Sequence, residues 1–209
     1  MSEMKNDLRM ESIKQIVISL YGRDGMVDHE ELNALIFLSW YSDNHYPRRY
    51  LEFADRSSGA VAVVATCPSV EIYKVGHWEG IGPDDSPIAL AHTLDAFQFR
   101  GYVRFVNGEI GTAIQRLKDS FVGHFGFDLM LVGGKMVEEV ADDQVCSLIS
   151  YLSPGGALIL SYPSPNNFMR ICQKIKDNYS QYTYFQCEGA KTGMVLAAKL
   201  RDYNYDQVS

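Results

Sequence analysis

Residues 51 to 60 read LEFADRSSGA and crowd two carboxylates, Glu52 and Asp55, a guanidinium, Arg56, and the hydroxyls of Ser57 and Ser58 into a few positions before Gly59. An apolar run ending in an acid, a polar turn and the small apolar run GAVAVVATC spell a strand, a turn and a helix. In open α/β sheets that junction lies at the edge where ligands bind. The glycines that would let the backbone approach a nucleotide closely are almost all missing from it.

Other chemistry leaves fainter traces. The five histidines, His29, His45, His77, His92 and His124, show no HxH or HExxH spacing, no serine sits in a GxSxG elbow, and there is no Walker loop. His124, in FVGHFGFD, lies in a glycine-containing turn where solvent exposure is the commoner fate. Tyr162, in SYPSPNN, follows an apolar run and is a polar aromatic suited to a substrate or partner. Cys67, Cys146, Cys172 and Cys187 are far apart with no CxxC pair, so free, buried thiols in a reducing cytoplasm are expected.

The elements that must position these residues follow from length and pattern. A chain of 209 residues, 46% hydrophobic, is long enough for one domain with a sizeable core and terminal decoration. A net charge of −7 argues against a nucleic-acid partner, which needs a basic face. The N-terminus MSEMKNDLRMESIKQIVISL has no signal-peptide core, and no apolar run approaches the ~20 residues that span a bilayer. No membrane association and a cytoplasmic location are therefore expected.

Ile13, Ile16, Val17 and Leu20 mark one helix face, and Asp28 with Glu31 forms a capping box for a second helix presenting Leu32, Leu35, Ile36 and Ser39. Residues 1–46 thus form an N-terminal helical extension. Over 47–202 the pattern becomes seven short apolar runs, RYLEFA, VEIYKV, YVRFVN, FDLMLVG, ALILSY, TYFQC and GMVLAAKL, with helical stretches between the first six. One of these, VEEVADDQVCSLISYL, predicts a helix through Leu152. Another, PNNFMRICQKIKDNY, carries the stripe Phe168, Ile171, Cys172, Ile175 and Tyr179 behind Ser164 and Pro165. Alternation of this kind predicts a doubly wound, mostly parallel α/β sheet of seven strands, closed by an antiparallel C-terminal hairpin because too few residues separate the last two runs for a helix. Residues 203–209 are expected to be a flexible tail.

From about Gly25 to Lys199 this order resembles the class I S-adenosylmethionine-dependent methyltransferases, in particular the small-molecule O-methyltransferase branch. FDLMLVGG, followed by LISYLSPGGALILS, is similar to that family's fourth strand, helix and Pro-Gly-Gly turn into the fifth strand. The resemblance implies a Rossmann-like fold with S-adenosylmethionine held in the crevice. The candidate cofactor positions are Glu52, Ala54, Asp55, Ser58, Gly59, Gly76, His77, Glu109 and Gly133.

Several of these depart from the family's residues. The family's turn reads E-x-G-x-G-x-G; here Glu52 supplies the acid, while Ala54, Arg56 and Ser58 stand for the glycines and Gly59 comes one position late. The acid that accepts both ribose hydroxyls falls on Gly76, leaving His77 or Glu79 as displaced substitutes or, with Trp78, as surface residues. Glu109 matches the acid near the adenine amino group; it is equally suited to open the following helix against its dipole. Where metal-dependent members carry an aspartate, Gly133 is followed by Lys135, so no metal is expected, and Asp128 is assigned a structural role. No catalytic residue is singled out.

The combined departures imply a methyltransferase-like protein with degraded cofactor motifs, non-catalytic or weak in cofactor binding and acting through assembly or regulation. The alternatives are an active small-molecule methyltransferase with a divergent cofactor loop, or a crevice for a different small ligand. Homo-oligomerisation or a partner protein would use the N-terminal helices, where IFLSWY suits an interface; the same residues can equally cover the sheet.

Overall fold

The structure is a computed structural model that describes residues 29–54, 58–76, 87–121, 125–133, 142–161, 165–178, 182–186 and 194–199, with Glu11 and Gln15 helical as well. The expected helix over 13–20, the Asp28 cap, Asp55, Arg56, His77, Glu79, His124, Lys135, Tyr162, Cys187 and the tail over 203–209 lie outside the described residues.

Five strands, β1 (Arg49–Phe53), β2 (Glu71–Gly76), β3 (Val103–Asn107), β4 (Phe127–Val132) and β5 (Leu152–Ser161), pair in parallel in the order β3-β2-β1-β4-β5. Beyond β5 the sheet continues into β7 (Met194–Lys199) and β6 (Tyr182–Gln186), both pairings antiparallel. Strand order reverses at β1, since β2 lies on one side of it and β4 on the other. That reversal opens the crevice at the carboxyl edge.

The strands bury both faces, as parallel strands covered by helices must. On one face Tyr50, Ile72, Leu129, Leu131 and Ile159 pack under α1 (His29–His45), α2 (Ser58–Val64) and α3 (Pro87–Ala96). On the other, Leu51, Phe53, Val75, Met130 and Leu158 pack under α4 (Ile110–Ser120), α5 (Asp142–Ser147) and α6 (Pro165–Asn178). In α6 the stripe residues Ile171, Cys172 and Ile175 are buried. Each such aliphatic side chain removed from water contributes about 1.5–3 kcal/mol.

Two local expectations need correction. In α1 Leu35 and Ser39 of the expected face are buried, but Leu32 and Ile36 are only half-buried, and the buried stripe extends instead to Leu38 and Ser42, both at 0% exposure. Small side chains there let α1 approach α2 closely, and the Ser39 hydroxyl is satisfied by donating to Ala62 O at 2.7 Å. The second concerns the helix expected through Leu152: α5 gives way to a 3-10 turn at Leu148–Tyr151, and Leu152 already belongs to β5. The Pro-Gly-Gly segment is an irregularity within that strand, because Phe127 pairs with Leu152 but Leu129 pairs with Ala157. A Cβ on Gly156 would lie 2.9 Å from both Phe127 O and Ser153 O, so this bulge requires glycine.

Candidate functional site

The crevice is floored by the residues that end the parallel strands. Gly133, just past β4, donates its N–H to Phe53 O at 2.9 Å and lies beside Ala54 and Ser161. A Cβ added at Gly133 would meet Ser161 Cβ at 3.8 Å and Ala54 Cβ at 3.9 Å, which is ordinary contact. The backbone thus has room for a side chain at this position, and the sequence supplies none. Ser161 was not singled out from sequence; its hydroxyl at the end of β5, directly before Tyr162, is the only signal that marks it.

Glu52, the acid of the turn, does not face the crevice. It sits on the face of β1 covered by α1 to α3, opposite Lys74 in the β1–β2 register, and both side chains are fully buried. Lys74 Nζ lies 3.3 Å from Glu52 Oε1 and donates to Ala54 O at 2.5 Å. Glu52 Oε2 accepts the N–H of Ala60 at 3.0 Å, in the first turn of α2. Burial pushes the Glu52 carboxyl above its ordinary range, while Lys74 and the amides of Ala60 and Gly59 pull it back. Oε2 thus ties strand to helix, while Oε1 faces the Lys74 ammonium.

Gly59 belongs to this arrangement. It lies buried in α2, where a Cβ would approach Tyr50 Oη, Leu131 Cδ2 at 2.7 Å and Glu52 Oε1 at 2.9 Å. Its glycine serves close packing of helix on sheet. Ala54 and Ser58 flank the turn and are both 8% exposed.

Gly76 is the last residue of β2, buried and paired with Asn107, and its carbonyl accepts from Gly108 N at 3.2 Å. At the end of β2 Gly76 therefore offers backbone groups alone. Gly108 turns the chain out of β3 with φ 129°, a conformation that favours glycine. Glu109 follows as the N-cap of α4, exposed, with no side-chain capping bond. Its carboxylate is left to face solvent at the crevice edge.

Asp128 is structural: Oδ2 accepts the N–H groups of Arg48 at 2.8 Å and Arg49 at 3.1 Å, tying β4 to the entry of β1. It lines a cavity of ≈ 640 Å³ with Arg48, Arg49, Ser69, Glu71 and Ser153, at the amino-terminal edge of the sheet and away from the crevice. Among the described residues no group of three His, Cys, Asp or Glu side chains could hold a metal ion, and no helix is long and apolar enough to cross a membrane.

No protein-family model matches this sequence, and no curated protein matches it significantly. Solved structures do match the fold. An O-methyltransferase from Bacillus cereus in complex with SAH superposes with a TM-score of 0.60 at 13% identity, covering 91% of this chain and 90% of that one. TomG from Streptomyces achromogenes, an O-methyltransferase involved in tomaymycin synthesis and solved with SAM, gives 0.61 at 14% identity over 91% and 89%. The SAH-bound methyltransferase PaMTH1 from Podospora anserina gives 0.57 at 13% identity over 91% and 87%. The chain has the class I methyltransferase fold of the O-methyltransferase type.

Proposed function

We propose that the chain is a class I methyltransferase-like protein whose cofactor site is degraded: non-catalytic, or weak in binding S-adenosylmethionine, and acting through assembly or regulation. The observation that carries this reading is the placement of Glu52. Glu52 is buried at 0% exposure and held by Lys74 and the Ala60 amide, so it lends no negative charge to a cationic cofactor. Gly76 deepens the misfit, since a ribose would meet no carboxylate there. Losing one charged acceptor costs about 1.5–3 kcal/mol, roughly a tenfold to hundredfold loss of affinity.

The second reading, an active small-molecule methyltransferase with a divergent loop, draws support from the SAM- and SAH-bound structures of the same fold and from the exposed carboxylate of Glu109. A thermal-shift titration with S-adenosylmethionine separates the two. A ligand at ~100 times its dissociation constant stabilises by about 2.7 kcal/mol, or several degrees for a chain of this size. No shift at millimolar cofactor agrees with the degraded site. A shift that Glu109→Ala abolishes would overturn the degraded site, and methyl transfer to a small nucleophile would then have to be assayed for the second reading.

Assembly, as part of the first reading, would use the outer surface of α1, and sedimentation velocity reports it directly. The half-buried Phe37 and Trp40 pack partly against the chain's own core, which limits the apolar area left for a partner. A cytoplasmic location belongs to the same reading.

A further inference from the structure

We infer that the cavity at the amino-terminal edge of the sheet is a ligand site separate from the cofactor crevice, and that it takes a small zwitterion of the free α-amino-acid class, with the carboxylate on Arg48 and the ammonium on Asp128 and Glu71. At ≈ 640 Å³ the cavity lies within the size range of small-molecule pockets, and its walls come from the entries of β1, β2, β4 and β5. It stands whatever the crevice holds.

The strands fix most of the charges on these walls. Arg49 Nε lies 3.3 Å from Glu71 Oε2, and the Arg49 guanidinium stacks over the Phe121 ring at 4.8 Å. Glu71 Oε2 also accepts from the hydroxyls of Tyr73 at 3.4 Å and Tyr102 at 3.2 Å, so this carboxylate is oriented before any ligand arrives. Asp128 is held in the same way, its Oδ2 accepting the N–H groups of Arg48 and Arg49. Among the described residues no hydrogen bond reaches Glu71 Oε1 or Asp128 Oδ1, and the exposed Arg48 guanidinium makes neither an ion pair nor a hydrogen bond.

Charge balance selects the ligand. Arg48 and Arg49 bring two positive charges to the cavity, and Glu71 and Asp128 bring two negative ones. A simple anion drawn to Arg48 would stand beside two carboxylates, and a simple cation drawn to those carboxylates would stand beside two guanidinium groups. A molecule bearing both charges pairs with each. A guanidinium meets a carboxylate through two parallel N–H donors, and a primary ammonium brings three donors to the open carboxylate oxygens. The cation and the acid belong to touching residues, since Arg48 N donates to Asp128 Oδ2 at 2.8 Å, which suits charges held close together as on an α-amino acid. Ser69 and Ser153 add hydroxyls to the wall, and Tyr46, 64% exposed, offers apolar surface to the ligand's side chain.

The test is a titration of the isotope-labelled full chain with L-leucine, read from the NMR signals of the Arg48 and Arg49 amides that donate to Asp128. Saturable shifts are expected, with a dissociation constant at or below about 1 mM. Isocaproate, which lacks the ammonium, and isoamylamine, which lacks the carboxylate, are expected to bind at least about tenfold more weakly, and Arg48→Gln is expected to weaken L-leucine by at least about tenfold. That variant keeps the backbone N–H that Asp128 uses and alters an exposed side chain, so the fold is expected to persist. Isocaproate binding as tightly as L-leucine would make the cavity a plain anion site and overturn the inference. No saturation by L-leucine at about 20 mM, or an unchanged affinity in Arg48→Gln, overturns it as well. S-adenosylmethionine binding in the crevice bears on the degraded-site reading alone.

Discussion

Gly59→Ala tests how the turn is built, because the same substitution at Gly133 has the opposite expectation. In an exposed helix, glycine to alanine gains up to about 1 kcal/mol. At Gly59 the new methyl would lie 2.7 Å from Leu131 Cδ2 and 2.9 Å from Glu52 Oε1, and would also press on Tyr50 Oη. None of these can retreat easily. Tyr50 and Glu52 are at 0% exposure, Leu131 is at 5%, and the Glu52 carboxylate is held by Lys74 and Ala60 N. Overpacking of this kind costs about 1–3 kcal/mol, and displacing Glu52 from Lys74 adds to it. The net expectation is a loss of about 1–3 kcal/mol, a drop of roughly 2–10 °C in Tm by differential scanning calorimetry. Gly133→Ala, whose Cβ meets nothing closer than 3.8 Å, should stay within about 0.5 kcal/mol of the parent. A Gly59→Ala protein as stable as the parent would refute the close packing of α2 on β1 and β4.

Three further outcomes follow from the structure. Glu52→Gln, which strands the Lys74 ammonium in the core, should cost about 3–5 kcal/mol in urea unfolding, whereas Glu52→Leu with Lys74→Met should cost far less; additive effects in the cycle would show the two do not interact. Tyr46 is 64% exposed and closes α1 with φ 48°, its N–H donating to Ser42 O at 2.9 Å, so Tyr46→Gly should raise stability by up to about 1 kcal/mol; a loss would mean that the ring is packed. Burial pushes the Cys146 thiol up to about 11. The folded state keeps it neutral while the unfolded chain ionises it near 9, so this group's stabilisation is present below pH 9 and lost as pH rises from 9 to 11. Iodoacetamide at pH 8 should label Cys146 at least about 100-fold more slowly in the folded protein than in urea, and equal rates would contradict its burial.

The alternation of apolar runs and helical periods made the α/β architecture legible, because a parallel strand covered on both faces must be apolar throughout and its crossover must be amphipathic. The β5 bulge was not legible: SPGG reads as a turn, and only the approach of Gly156 to Phe127 O shows that the chain remains in the ladder. Within the site, the residue types were visible but their directions were not. Glu52 is one of five residues in β1, and whether it faces crevice or core depends on its partner across the sheet, Lys74, which the run VEIYKV does not mark as a partner. Gly59 likewise read as a displaced turn glycine, while its use is to admit Tyr50, Leu131 and Glu52. Pairings across strands set these roles, and no local pattern encodes them.

The most direct test of the degraded site is isothermal titration of the full chain with S-adenosylhomocysteine, which shares the adenosine and amino-acid parts of the cofactor. With Gly76 in place of a ribose acceptor and Glu52 neutralised by Lys74, no saturable heat is expected below about 0.1 mM ligand. A dissociation constant near 1 μM, about −8 kcal/mol, would contradict the account, because it would require the crevice to recover from other residues what Glu52 and Gly76 do not supply.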